Sequence, residues 1–179
     1  HGWYRRQRQM CIRDSLPSHQ EVVKPLDGMG GKSIYKMDKI QESEIETLLK
    51  MTNNESTQII TQEFIEDIYE GDFRILIIHG KPFKKTLARI PQGDSFKGNL
   101  AAGGKGVVKD ISDFQFEMAS EIGDFLIQKD INFAGIDVIG NFLTEINVTS
   151  PTCARQILDQ SGENPCLLYT SPSPRDMTG

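Results

Sequence analysis

The sequence predicts an α+β domain in which strands outnumber helices. Three observations carry that expectation: β-like runs such as "RILII" and "FAGIDVIG" recur along the chain, only two stretches show a helical stripe behind a capping-box spacing, and two glycine-rich segments separate the regular elements. Mixed layers of this kind place a ligand between them.

The elements follow in chain order, without internal repeats. "EVVKPL" reads as a short strand that ends before a glycine cluster. "SEIETLLK" opens with Ser43 and Glu46 in capping-box spacing, and Ile45, Leu48 and Leu49 form one helical stripe. "TQIITQEFI" is a second strand, and "RILIIHGKPFKKTLARI" a hairpin with Gly80 in the turn between Arg74 to Ile78 and Phe83 to Ile90. The stretch "PQGDSFKGNLAAGGKGVV" is too small-residued and flexible for a core element, and its length marks a lid or a disordered loop. A second capping box, Ser112 to Gln115, starts a helix with the stripe Met118, Ala119, Ile122, Phe125 and Leu126. "FAGIDVIGNFLTEINV" closes the fold as a hairpin.

The chain has 179 residues, 37% of them hydrophobic and 25% charged, with a net charge of -5. That suits one ordinary domain or two small lobes. No apolar run approaches the roughly 20 residues that cross a bilayer, and no signal-peptide core stands at the start, so a cytoplasmic protein without membrane contact is expected. The acidity argues against nucleic-acid binding, which needs clustered basic residues. Any anionic ligand must be met locally.

The two ends differ from the middle. "RRQRQMCIRDS" is basic and aperiodic, and "CLLYTSPSPRD" is broken by Ser and Pro. Cys-Leu-Leu-Tyr-Thr can be encoded TGT CTC TTA TAC ACA T, whose reverse complement, ATG TGT ATA AGA GAC A, begins Met-Cys-Ile-Arg-Asp, the residues from Met10 onward. Complementary coding at both termini resembles a sequencing adapter translated from either end. Residues 1–15 and 166–179 are therefore read as non-native, and 16–165 as the credible domain; disordered natural tails are the alternative. Cys11 and Cys166 fall in those ends, and Cys153, with no histidine near it in sequence, is expected to be a small buried residue rather than a nucleophile.

Four places concentrate chemistry. "VVKPLDGMGGKS" can cradle phosphate oxygens with backbone amides while Lys24 adds a charge, or it can be a plain tight turn. It is neither a P-loop, which would need glycine where Leu26 stands, nor a dinucleotide fingerprint, which would need glycine at Ser33. "GNLAAGGKG", with Gly98, Gly103, Gly104 and Gly106, is either a lid that excludes water or a surface loop. Arg74 and Arg89 offer planar forks for carboxylate or phosphate, or are solvated strand-end charges. The last hairpin carries Asp137, Glu145 and Asn147, and register decides their role. A two-residue turn at Gly140 and Asn141 alone sets Asp137 opposite Thr144; a longer loop or a bulge sets it opposite Glu145, with Asn147 two residues on along the same face. The second register offers three oxygen ligands for magnesium; without a metal, Glu145 pairs with a lysine or arginine.

"KPLDGMGG", "LARIPQGDSFKGNLAAGGKG" and "GIDVIGNFLTEINVTSPT", in that order, resemble the bacterial glutathione synthetase family of the ATP-grasp superfamily. The resemblance implies an ATP-grasp fold, with this chain as the C-terminal ATP-binding region of a longer enzyme. It implies a ligase that activates γ-glutamylcysteine as an acyl phosphate with ATP and lets glycine displace phosphate, using Mg2+ or Mn2+. Lys24 would meet the ATP phosphates, and Gly28, Met29, Gly30 and Gly31 would cover them. Gln62, Glu63, Phe64 and Ile65 would hold adenine through backbone groups, with Asp72 near the ribose. Arg74 and Arg89 match positions at the substrate and the transferring phosphoryl group. Ile90 to Lys105 resembles the mobile lid, with Asn99 a substrate contact within it. Asp137, Glu145 and Asn147 match the metal ligands, and Ser150 and Thr152 lie where the peptide substrate is expected.

Rivals are another ATP-grasp ligase, expected to differ at "NVTSPT" and "ARIPQG", and a protein that binds nucleotide without catalysis. Length departs from the family pattern: an N-terminal domain, the start of the ATP-grasp region with a second ATP-binding lysine, and a final helix are missing. Little or no activity is therefore expected of the 179-residue chain. The longer enzyme is expected to be a homo-oligomer.

Overall fold

The computed structural model describes residues 20–26, 33–37 and 42–169. The chain divides into two compact units, His1–Ile65 and Glu66–Gly179. Residues 1–15 lie outside the described set, and of 166–179 only Cys166–Tyr169 fall within it.

In the first unit, β1 (Glu21–Pro25) is the centre of an antiparallel three-stranded sheet, flanked by β2 (Tyr35–Met37) and β3 (Ile59–Glu63). Alternation sends Val23 of β1 to one face, where it meets Met37, Ile59 and the helix α1 (Glu42–Met51) through Leu48 and Met51. The expected capping box is not formed. Ser43 lies inside α1, where its carbonyl accepts from Thr47 Oγ1 at 3.0 Å. Charge instead favours the ends of this helix, with Glu42 and Glu44 in the first turn and Lys50 in the last. Strand β2, three residues long, is too short to carry a period of its own and went unpredicted.

The second unit is a five-stranded antiparallel sheet in the order β6-β5-β4-β7-β8, from β4 (Asp72–Ile78), β5 (Lys81–Ile90), β6 (Lys105–Asp110), β7 (Phe133–Ile139) and β8 (Phe142–Asn147). The predicted hairpins are β4–β5 and β7–β8. Strand β6 corrects the reading of "PQGDSFKGNLAAGGKGVV" as wholly irregular: Lys105 to Val108 pair with Ile90 to Leu87, and backbone bonding to an existing edge outweighs glycine content.

One face of this sheet carries the larger apolar core. Ile75, Ile77, Ala134, Ile136 and Val138 pack on Ala119 and Leu126 of α2 (Asp113–Ile127). The capping box holds here: Gln115 N–H donates to Ser112 Oγ at 3.2 Å, and Ser112 N–H to Gln115 Oε1 at 3.0 Å. The stripe needs one correction. Phe125 is 55% exposed, beneath the Lys129 ammonium, and the inner line runs through Gln115, Ala119, Gly123 and Leu126. The opposite face is split. Leu76, Phe83 and Leu87 pack under Cys153 and Ile157 at the start of α3 (Ala154–Ser161), and charged residues take the rest. Helix α3 had no start signal, because its N-cap is Cys153 in a left-handed conformation with no side-chain cap. A last turn, α4 (Cys166–Tyr169), brings the Tyr169 ring 5.0 Å from that of Phe133.

Candidate active site

Strand alternation builds the charged face of the second unit. Asp72, Arg74 and Leu76 point to one side of β4; Arg89 is paired with Asp72, and Asp137 with Arg74. Four charged side chains thereby converge in a nearly closed network. Arg74 grips Asp137 with both branches of its fork, Nε to Oδ1 and Nη2 to Oδ2, the latter at 2.7 Å. Arg89 Nη2 reaches Asp137 Oδ2 at 2.9 Å and also donates to Asp72 Oδ2. Arg74, Arg89 and Asp137 are buried, so the predicted arginines are not solvated strand-end charges. Such a cluster survives burial because each charge has a hydrogen-bonded opposite.

Neighbouring residues aim the network. Gly135 of β7 is obligatory: a Cβ there would lie 2.8 Å from Pro151 Cβ and 2.9 Å from Arg74 Cδ. Thr152, in the segment after β8, has its Oγ1 3.5 Å from Arg74 Nη1. Thr86 Oγ1 donates to the Arg74 carbonyl at 2.8 Å, fixing β4 against β5. Ser150, also expected near substrate, is exposed at φ 49°.

The hairpin adopts the bulged register. The turn is the two-residue Gly140–Asn141 type, since Ile139 pairs with Phe142, yet Asp137 stands opposite Glu145 because Thr144 is the extra residue. Thr144 Oγ1 donates to the Asp137 carbonyl at 3.1 Å across the bulge. Asn147, paired with Gly135, shares the face of Asp137 and Glu145. Two carboxylates and an amide oxygen form a hard donor set that fits a magnesium-like cation completing its shell with water and phosphate oxygens. Asn147 Nδ2 is buried without a partner. Among the described residues no group of three or more His, Cys, Asp or Glu comes together, so a cation here depends on Asn147 and the ligand as well.

Burial pushes the two carboxylates up, and their partners decide the outcome. Asp72 is pushed up to about 6, desolvation and Asp137 outweighing Arg89 and Arg74. Its Oδ1 is buried with no hydrogen-bond partner. For Asp137 desolvation is overcome by the Arg74 hydrogen bonds and the charges of Arg89 and Arg74, which hold it below the usual carboxylate range.

The glycine-rich segment lies against this network. Gly98 is buried; a Cβ on it would be 2.5 Å from the Arg89 carbonyl oxygen and 3.3 Å from Asp72 Cβ. Asn99 caps the 3-10 turn Leu100–Ala102 with its carbonyl, which accepts from Ala102 and Gly104 N–H at 2.9 and 3.1 Å. Gly103, at φ 94°, ends the turn, and Gly106 is paired with Arg89 in β6.

The first unit holds the remaining predicted residues. Gly28, Met29, Gly30 and Gly31 lie outside the described residues. Lys24 and Gln62 share the face of the small sheet opposite α1, because Val22 is paired with Gln62 and alternates with Lys24 as a neighbour two residues on. Glu63 ends β3 on the other face, paired with Glu21; Phe64 N–H donates to the Gln20 carbonyl at 2.8 Å, and Ile65 follows outside the strand. Lys36, which the sequence did not single out, pairs with Val22, shares the Lys24 face, and sets its ammonium 3.9 Å from the centre of the Phe64 ring. The alternation of "YKM" is its only sequence signal.

Comparison with known proteins follows the same lines. A family model described as prokaryotic glutathione synthetase, ATP-grasp domain, matches residues 6–162. The chain is 46% identical over 145 residues to the glutathione synthetase of Xylella fastidiosa (strain 9a5c), covering 81% of this chain and 46% of that protein. It is 44% identical over 151 residues to that of Pseudomonas aeruginosa, covering 84% and 48%. The chain thus spans about half the length of the curated relatives it matches. Among solved structures, the D-cycloserine synthetase DcsG superposes with a TM-score of 0.60 at 14% identity, over 91% of this chain and 57% of that one. The ATP-grasp ligase PsnB, complexed with precursor peptide and AMPPNP, gives a TM-score of 0.57 at 14% identity, over 88% and 46%. These two likenesses bear on the fold alone.

Proposed function

The chain belongs to the prokaryotic glutathione synthetase ATP-grasp domain family, and from that premise we propose that the protein it represents joins γ-glutamylcysteine to glycine with ATP, through an acyl phosphate. The observation that carries the ligase reading is the buried arginine pair on the same sheet face as Asp137, Glu145 and Asn147. Phosphoryl transfer needs positioning and charge neutralisation more than covalent help, and this face supplies both.

In this reading Lys24 and Gly28 to Gly31 meet the ATP phosphates, Gln62 to Ile65 hold adenine, and Asp72 faces the ribose. Arg74 and Arg89 neutralise the carboxylate being activated and the phosphoryl group in transit, with Thr152 beside Arg74 at the peptide end. Asp137, Glu145 and Asn147 hold Mg2+, or Mn2+ in its place. The bound cation supplies electrostatic stabilisation of phosphate charge. The segment around Gly98 and Asn99 covers the site and keeps water from the acyl phosphate. Residues 1–15 and 166–179 are read as adapter-derived, which sequencing the genomic locus across both junctions tests.

Phosphate release from Mg-ATP is the deciding assay, with γ-glutamylcysteine and glycine supplied together and each omitted in turn. The 179-residue chain is expected to release little. Restored to the length of its relatives, it is expected to release phosphate only with the acid present and to turn over only with both. Turnover with a different acid and amine, and none with this pair, overturns the substrate assignment.

A further inference from the structure

We propose that Arg74 gates the cation site, so that a divalent cation and an anionic ligand bind this face together rather than separately. The proposal rests on the cation-site reading above and adds the residue that controls it. Asp137, the buried member of the donor set, has both oxygens engaged: Oδ1 by Arg74 Nε, and Oδ2 by Arg74 Nη2 at 2.7 Å and Arg89 Nη2 at 2.9 Å. A divalent cation bonded to either oxygen would stand within a few ångströms of two guanidinium charges, at a depth where water screens little. Arg74 holds both oxygens and Arg89 only Oδ2, so a cation bonded to either oxygen displaces Arg74 from at least one of them.

The two arginines differ in where they can go. Arg89 already donates to Asp72 Oδ2 and, through Nε, to the Asp72 carbonyl at 3.4 Å, so it keeps a carboxylate partner when it leaves Asp137. Among the described residues Arg74 hydrogen-bonds no carboxylate other than Asp137; the Asp72 carboxylate acts on it through charge alone. Among the described residues its one further side-chain hydrogen-bond partner is Thr152 Oγ1, at 3.5 Å. Releasing Arg74 leaves a buried guanidinium unpaired, which is costly unless an incoming anion takes its fork. A carboxylate or phosphoryl oxygen at Arg74 removes that cost, so anion and cation each raise the other's affinity by the same factor. Arg74 is then a positioning residue for the cation as well as a contact for the anion.

The test is a Mn2+ titration followed by electron paramagnetic resonance on the full chain, without nucleotide, for the unaltered protein, Arg74→Met, Arg74→Lys and Asp137→Asn. Arg74→Met is expected to bind Mn2+ at least about tenfold more tightly than the unaltered chain, Arg74→Lys to fall between, and Asp137→Asn to lose the site. Arg74→Met binding equally or more weakly, with Asp137→Asn losing the site, overturns the gate and leaves the cation site standing. Mn2+ binding undisturbed by Asp137→Asn overturns both. Should Arg74→Met not fold, nitrogen-15 spectra of the unaltered chain decide, with the Arg74 Nε–H signal assigned through Arg74→Lys. That signal is expected to shift on saturation with Mg2+, and an unmoved signal overturns the gate.

Discussion

Arg74 is set in place as much by Gly135 as by its own side chain. Gly135→Ala adds a methyl group 2.8 Å from Pro151 Cβ and 2.9 Å from Arg74 Cδ, neither of which can yield without moving Thr152 or the grip on Asp137. Overpacking of this kind costs about 1–3 kcal/mol, to be read from urea unfolding. Asp72 makes a separate prediction about pH. Its folded value of about 6 lies above the ordinary 3.8, so the folded chain holds a proton that the unfolded chain has released. Stability is therefore greatest below about pH 4 on this account and falls as pH rises through 6, by on the order of 3 kcal/mol. The lowered Asp137 works in the opposite sense, but below pH 3.8 and outside that window. Asp72→Asn should flatten the slope of unfolding free energy between pH 4.5 and 6.5; an unchanged slope would show that Asp72 is not its source.

Among the elements, α2 and β8 show how local rules and pairing divide the labour. The capping box of α2 is local chemistry, complete within Ser112 to Gln115, and Ser112→Ala should lower thermal stability by about 1 kcal/mol, measured by calorimetry. Ser43 and Glu46 have the same spacing but no box, because the first turn of α1 already includes Ser43. Spacing alone cannot tell the residue before a helix from one inside it. In β8 the bulge at Thr144 keeps Glu145 opposite Asp137 despite a two-residue turn, and no feature of "GNFLTEIN" announces a bulge. Helix α3, started by a left-handed cysteine, and β2, three residues long, were silent for the same reason. Their stability comes from the elements they pack on.

At the scale of the whole molecule, the family membership and the antiparallel sheets agree with the predicted α+β, ATP-grasp architecture. Among the described residues no helix is long and apolar enough to cross a membrane. The predicted metal and arginine residues lie together on one face of the second unit, while Lys24 and Gln62 lie together on one face of the first.

The sequence by itself determined the residue types at the site, the hairpins of the large sheet, the second helix and the family, because alternation, capping and motif spacing are local and survive without a fold. Tertiary structure alone decided what Asp137 faces. Two arginines from neighbouring strands, a bulge on a third and a glycine that makes room for one guanidinium bring the charges into contact, and such pairings depend on register between residues far apart in the chain. Electrostatic energy depends on distance and burial, and only the folded chain sets either.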